Sequence, residues 1–399
     1  MHIPPSHIKT LAQNTSWVIF SKLIVFILSF GLMAALANLV SKETVGTYSY
    51  IISVLTIISI TTLPGMNMAL VRSVAAGREG GISTIATKRI MYGLIGSCIS
   101  LCIGIWYMIT GNPTLGHCFI IAAFFLPLTD TLNEIAVYYW VAKKAYRKSS
   151  TITIVYQILF TIPSILVLFL TQRIEYIIFS FLCFQMIAGL LIYRSVKPRN
   201  DIRDTQDTTF GMHLTLMSAF RTIAIHSDRL LVWYMFGPVS VALYTFASTP
   251  ITKLEQLIPI EQISLPALSG STYSLVHKKL LLKRTGILFI VILMMLGIGY
   301  YLSPFLYHLL FPQYPDAIKL FQLLLVSVAF TPFLLLKTSF TAWHKKTQLY
   351  ILDVSFPFIK IALVLIFGTL YGMVGVVYGV IIARAIEACI TVILFQRLS

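Results

Sequence analysis

Four ionisable residues sit inside one apolar run. The stretch AFRTIAIHSDRLLVWYMFGPVSVALY, Ala219 to Tyr244, carries Arg221, His226, Asp228 and Arg229. A guanidinium in such a setting either pairs with a carboxylate or binds an anionic oxygen, and its planar fork suits phosphate. Arg221 and Asp228 are seven residues apart, which puts them within about 20° of each other on one helical face. Arg221 falls near the middle of its run, whereas Arg229 is closer to an end and can snorkel. His226 is about 140° round the helix from Arg221 and reads as a packing residue. Asp353 and Lys360 repeat the seven-residue spacing, and Arg384 and Glu387 are three apart. Asp130 and Glu134, four apart, share a face, where two like charges favour a shared or exchangeable proton. The candidate substrate-binding set is therefore Arg221, Asp228, Arg229, Lys360, Arg384 and Lys22, and the candidate ion-coupling pair is Asp130 with Glu134. Against this stands a structural reading: Arg384 with Glu387 and Lys253 with Glu255 as buried pairs, and Lys22 and Glu261 as solvated anchors near span ends.

The elements that must position these groups are membrane helices. Of 399 residues, 57% are hydrophobic and only 11% charged, against roughly 25% charged in a soluble chain. The apolar residues come in blocks of about 18–26, the length that crosses a ~30 Å hydrocarbon core as a helix. Twelve blocks can be delimited: 15–38, 45–70, 90–109, 118–140, 151–170, 176–193, 209–236, 239–263, 285–302, 320–336, 348–367 and 371–395. The expected class is an all-α polytopic membrane protein. The first block lacks a basic region followed by a small-residue cleavage site and reads as a retained span.

Net charge of +16 raises nucleic acid as a partner, so the placement of the basic residues decides. With loops assigned alternately from the N-terminus, one side holds 21 Lys and Arg and the other only Lys42, Arg173 and Lys319. That asymmetry is the positive-inside pattern, with both termini cytoplasmic, and it argues against nucleic-acid binding. Thirteen charges then fall within the blocks, and facing lipid they would cost on the order of 30–45 kcal/mol. They must face one another or water. The five cysteines form no CxxC and have no His at ligand spacing, so neither a metal nor a cofactor is expected. No Ser/His/Asp set or phosphate-cradling glycine loop argues for an enzyme.

The chain also repeats itself. Val45 and Tyr48 match Val241 and Tyr244 at an offset of 196, Pro64 answers Pro259, and Lys143–Lys144 answers Lys345–Lys346. Each half holds an even number of spans, so both enter from the same side as parallel repeats, with a cavity between halves as the transporter arrangement. The expected division is residues 1–195, a polar cytoplasmic connector 196–208, and residues 209–399. Prolines 64, 127, 163, 250, 259, 332 and 357 interrupt spans, where they kink helices and free carbonyls.

The stretch Asn14 to Gly77 resembles the start of O-antigen flippases of the Wzx type, within the multidrug, oligosaccharidyl-lipid and polysaccharide exporter (MOP) superfamily. SDRLLVWYMFGPVSVALYTFAS, Ser227 to Ser248, is similar to the family's Asp at the end of helix seven followed by an outer turn. Leu265–Gly270 and Leu310–Leu324 also look like family segments. The resemblance carries Asp228 onto that Asp and Tyr48 and Tyr244 onto turn tyrosines, with Ala242 in place of the usual glycine. It implies about twelve helices in two parallel six-helix halves around a central cavity. It further implies translocation of a polyprenyl-diphosphate-linked oligosaccharide between leaflets of a bacterial cytoplasmic (inner) membrane, with membrane lipid and other polysaccharide assembly proteins as partners. A multidrug exporter of the same superfamily is the alternative, and a membrane-embedded polysaccharide polymerase a more distant one, since the longest outer segment, Ser303 to Lys319, is short and has His308 as its only histidine. The topology has a direct test. A reporter active only outside the cytoplasm is expected to be silent when fused after Lys144 and active when fused after Gly111.

Overall fold

The computed structural model describes residues 5–198, 200, 202, 206–257, 260, 264, 268, 275–343 and 345–397. Pro259, Glu261 and most of the segment 265–270 lie outside the described residues. Helices form the whole of the described secondary structure, and ten of them are long and apolar enough to cross a membrane. By contact the chain falls into two compact units, Met1–Ala219 and Phe220–Ser399.

The first unit contains α1 (Pro5–Leu39), α2 (Lys42–Ile58), α3 (Met66–Ala75), α4 (Ile82–Ile109), α5 (Pro113–Phe125), α6 (Thr129–Ala142), α7 (Tyr146–Leu170), α8 (Ile174–Tyr193) and the start of α9 (Gln206–Leu257). Two of its spans are broken where proline was expected to act. After α2 a short 3₁₀ turn, Ser59–Thr62, leads to Leu63 in the left-handed region (φ 54°) and then Pro64. Proline disfavours helical backbone in the residue before it, so Leu63 leaves the helix and α3 restarts beyond. Pro127 lies in the turn that separates α5 from α6, although Leu126 before it keeps helical backbone (φ −52°, ψ −40°). Pro163 stays inside a continuous α7.

Close approach at the first break depends on a missing side chain. A Cβ on Gly65 would lie 2.4 Å from the Thr215 amide nitrogen and 2.6 Å from the Gly211 carbonyl oxygen. The contact is sealed by Thr215, whose hydroxyl accepts the Gly65 N–H at 3.0 Å.

At the other end of α6 the chain after α8 is tied down. Tyr139 donates to the Lys197 carbonyl at 2.7 Å, and Asn200 bridges the turn by accepting from Glu79 N–H at 3.0 Å and donating to the Gly77 carbonyl at 2.8 Å. Glu79 pairs with Lys143 at 3.0 Å. Burial pulls the Lys143 ammonium down, but its contacts with Tyr139 and Glu79 outweigh that and hold it above the ordinary lysine value.

The second unit contains most of α9, then α10 (Leu275–Leu310), α11 (Pro315–Val328), α12 (Leu334–Ala342), α13 (Lys346–Tyr350) and α14 (Phe356–Gln396). Two helices here are too long for one crossing, and each turns on a glycine. Gly237 (φ 78°, ψ −177°) and Gly372 (φ 63°, ψ −146°) leave helical space in regions a side chain would disfavour. Pro238 follows the first as the opening residue of a new helix, the arrangement that ends one helix with Gly and starts the next with Pro. Across Gly372 the two arms of α14 lie side by side: Gly368 faces Val376, and Gly379 faces Val364 at distances that leave no room for a Cβ. Tyr244 and Asp228 meet across Gly237 in the same way, so α9 is likewise a hairpin. Ten spanning helices with two folded back account for the twelve blocks. Pro332 breaks α11 from α12 through a 3₁₀ turn at Thr331–Phe333, and a π-turn at Ile351–Ser355 precedes Pro357. Pro250 stays within a continuous arm of α9.

Many large apolar side chains are exposed, among them Met294, Met295 and Ile298 of α10 and Phe169 and Leu170 of α7. Acyl chains cover such faces in a membrane-spanning chain. Gly65→Ala is expected to destabilise the fold by about 1–3 kcal/mol through overpacking. Gly31→Ala, where a Cβ meets nothing within 4 Å, serves as control. Thermal melting in detergent reads the difference.

Candidate functional site

The charges inside the helices are almost all engaged, and mostly with partners that sequence spacing did not pair. In the second unit Lys360, on the first arm of α14, donates to Asp228 Oδ2 at 2.9 Å and to the Ala224 carbonyl at 2.6 Å. Tyr244 donates to the same carboxylate oxygen at 3.0 Å. Asp228 is 5% exposed, and its other oxygen, Oδ1, has no hydrogen-bond partner among the described residues. Arg221 is exposed and forms no ion pair among the described residues, so the expected Arg221–Asp228 pairing is replaced by Lys360–Asp228. The physical reason is axial. Seven residues separate two positions by about 10.5 Å along a helix, whereas true neighbours are three or four apart. Asp353 and Lys360 part for the same reason, helped by the π-turn between them. Arg229 donates to Thr249 at 3.1 Å across the hairpin.

A second group lies further along the same unit. Arg384 makes a two-pronged contact with Glu255 from the second arm of α9, one prong at 3.1 Å. Thr331, at the Pro332 break, reaches the same carboxylate at 3.5 Å. Lys337 lies between Asp353 at 2.9 Å and Glu387 at 3.1 Å, joining α12, the π-turn and the last arm of α14. Arg384 and Glu387 thus take separate partners, although i,i+3 spacing allowed them to meet.

In the first unit Arg89 is completely buried. Its Nε donates to the Thr62 carbonyl at 2.9 Å, a group at the end of the 3₁₀ turn that opens the Pro64 break. The remaining guanidinium nitrogens reach Asn67 and Glu134, the latter at 2.7 Å, and Asn67 also donates to Glu134 at 2.8 Å. Asp130 accepts from Tyr156 at 3.3 Å. The two carboxylates of α6 therefore have distinct surroundings: Glu134 is paired with an arginine, while Asp130 accepts from a phenol and forms no ion pair among the described residues. Lys22 is half-buried on α1.

Arg89 and Lys337 are the functional-looking residues that sequence reasoning placed wrongly, as loop cations. Each stands at the edge of an apolar block, where a charged residue ends the run. The structure puts Arg89 inside the span Ile82–Ile109 and Lys337, 8% exposed, inside Pro315–Ala342. A signal existed for Lys337, since Phe340, Ala342 and Trp343 continue the apolar pattern beyond it. Lys88 beside Arg89 gave no such cue.

Residues 11–271, well over half the chain, match the polysaccharide biosynthesis protein family. The chain belongs to that family. No curated protein matches the sequence. Solved structures similar to this polysaccharide biosynthesis family member include the lipid II flippase MurJ in an inward closed conformation, with a TM-score of 0.73 and 15% identity over 97% of this chain and 88% of that one. An inward-facing multidrug resistance MATE transporter of the MOP superfamily gives 0.70 and 14%, covering 93% of both chains. A MOP superfamily transporter from Pyrococcus furiosus gives 0.66 and 14%, over 96% and 94%. At such identities the likeness is one of fold, and that fold is the two-lobed helical architecture of MOP transporters.

The Lys360–Asp228 contact yields a direct expectation for this family member. Lys360→Met leaves a buried carboxylate uncompensated and is expected to cost about 3–5 kcal/mol, while Lys360→Met combined with Asp228→Asn recovers most of it. Detergent melting curves of the two proteins check this.

Proposed function

We propose that this protein is a flippase that moves a polyprenyl-diphosphate-linked oligosaccharide, an O-antigen or related surface-polysaccharide unit, from the inner to the outer leaflet of a bacterial cytoplasmic membrane by alternating access. The observation that carries the reading is the state of Arg221. With Asp228 already neutralised by Lys360, Arg221 is an exposed guanidinium on a membrane-spanning arm with no carboxylate of its own among the described residues. A diphosphate offers what such a group lacks, two acceptor oxygens matched to its fork. Arg229 adds positive potential on the same arm, whereas Lys360 and Arg384 are held in ion pairs by Asp228 and Glu255. The sugar and diphosphate pass through the protein, and the polyprenyl chain remains in the bilayer. No bond is made or broken, so no catalytic residue is assigned. Family membership in polysaccharide biosynthesis and a fold shared with a lipid II flippase support this reading.

Asp130 is assigned as the proton-coupling group in this scheme. It accepts a hydrogen bond from Tyr156 and forms no ion pair among the described residues, whereas Glu134 is paired with Arg89. Both termini are assigned to the cytoplasm, from the distribution of loop cations.

The second reading, a multidrug exporter, is favoured by the shared MATE fold. One experiment separates the two. In vesicles containing the purified protein, flipping of a fluorescent polyprenyl-diphosphate glycan is expected to fall at least about tenfold on Arg221→Lys, which keeps charge and loses the fork. The variant should still insert and remain monodisperse, and Asp130→Asn should remove the response to a pH gradient. Unchanged glycan flipping by Arg221→Lys overturns the diphosphate-binding role of Arg221, and extrusion of a cationic dye with no glycan transport overturns the flippase assignment.

A further inference from the structure

At the end of the second unit where both hairpins turn, a cavity of about 460 Å³ opens between the start of α11, the beginning of α9's second arm and the beginning of α14's second arm. Leu243, Ile318, Leu323, Met373 and Val374 make its wall apolar. Asp316 and Lys319 also line it, both exposed, and neither forms an ion pair among the described residues. The polar side chain beneath them, Gln322, is already committed to α10 through the Tyr300 carbonyl at 3.3 Å and the Ser303 hydroxyl at 3.1 Å. Three exposed tyrosines mark this end as the membrane surface: Tyr234 before one turn, Tyr371 before the other, and Tyr301 on α10. Tyrosines concentrate where hydrocarbon gives way to headgroups.

The order of the two charges carries the argument. The span Pro315–Ala342 begins at the membrane surface and runs inward, so Asp316 lies about 4.5 Å nearer the water than Lys319. Leu323 follows one turn deeper, on the same face as both charges. From water to hydrocarbon the cavity therefore presents a carboxylate, an ammonium and then apolar side chains. A phospholipid bearing a primary amine presents the complementary order: ammonium outermost, phosphate beneath it, acyl chain below.

We propose that this cavity is a binding site for a zwitterionic aminophospholipid of the leaflet at that end, with its phosphate on Lys319, its ammonium on Asp316 and an acyl chain against Leu243, Leu323 and Met373. An anionic lipid without the amine satisfies Lys319 only and leaves Asp316 facing it with like charge. The site is separate from the translocation groups, since neither Asp316 nor Lys319 touches Asp228, Lys360 or Arg384. It gives the second unit a lipid fitted between its two hairpins, and so a dependence on headgroup chemistry that annular lipid lacks.

The test uses the full chain in vesicles of equal phosphatidylethanolamine and phosphatidylglycerol, each in turn carrying a photoactivatable acyl chain. Adducts are mapped by peptide mass spectrometry. The wild type is expected to give adducts at Leu323 and Met373 that favour phosphatidylethanolamine. Lys319→Gln should lower cavity adducts of both lipids up to about fivefold, the worth of one partly exposed charge contact. Asp316→Asn should bring phosphatidylethanolamine down to the phosphatidylglycerol level and leave the latter no lower. Adducts at Met294 and Met295 of α10, an annular face, should be unchanged in both variants and report that the helices are intact. Equal labelling of the cavity by both lipids in the wild type, insensitivity to both substitutions, or displacement of the aminophospholipid by a polyprenyl diphosphate probe overturns the proposal.

Discussion

A buried charge in a membrane protein has no water to fall back on, and the positions of these helices follow from that constraint. Every strongly buried ionic group described here bridges elements distant in sequence: Arg89 joins α4 to α6, Lys360 joins α14 to α9, and Lys337 joins α12 to both the π-turn and the last arm of α14. Removing one member of such a contact strands the other, so the pairs fix which helices neighbour each other more sharply than apolar packing can. Lipid tails are as apolar as leucine, and hydrophobicity alone does not choose a partner helix.

The charges also gather where helices are interrupted. Arg89 caps a carbonyl beside the Pro64 break, Glu134 follows the Pro127 break by one short stretch of helix, Thr331 and Glu255 meet at the Pro332 break, and Asp353 lies within the π-turn ahead of Pro357. Breaks expose backbone polar groups that must be satisfied inside the protein. The same polar groups that repair a break thus recruit ionisable side chains to mid-membrane positions. Arg221 differs from Lys360 and Arg384 of the second unit in being exposed with no ion pair among the described residues, and the functional reading rests on that difference.

The resemblance first carried by the stretches at Asn14–Gly77 and Ser227–Ser248 agrees with the family match over residues 11–271 and with the fold of MOP transporters. Asp228 and Tyr244, brought together by that resemblance only as members of one segment, are in contact through a 3.0 Å hydrogen bond. Similarity at this level establishes a scaffold, and scaffolds host several cargoes. Substrate chemistry therefore has to be argued from the polar groups that the scaffold leaves unsatisfied.

The sequence by itself determined the class, the twelve membrane-length segments and most of the break points, because block length, proline and glycine act locally. Gly237 falls between the seventh and eighth blocks and Gly372 at the second residue of the twelfth, and Pro64, Pro127 and Pro332 lie at real interruptions. It identified most of the charged residues that matter but not their partners. Periodicity reports which face of one helix a residue occupies; it carries no information about which other helix faces it, and an i,i+7 match lies two turns apart, too far for contact. The pairing of Asp228 with Lys360 over 132 residues, and of Arg384 with Glu255 over 129, was decided only by tertiary structure. So was the burial of Arg89 and Lys337, since a charge at the edge of an apolar block ends the run in sequence whether it meets water or a carboxylate on another helix.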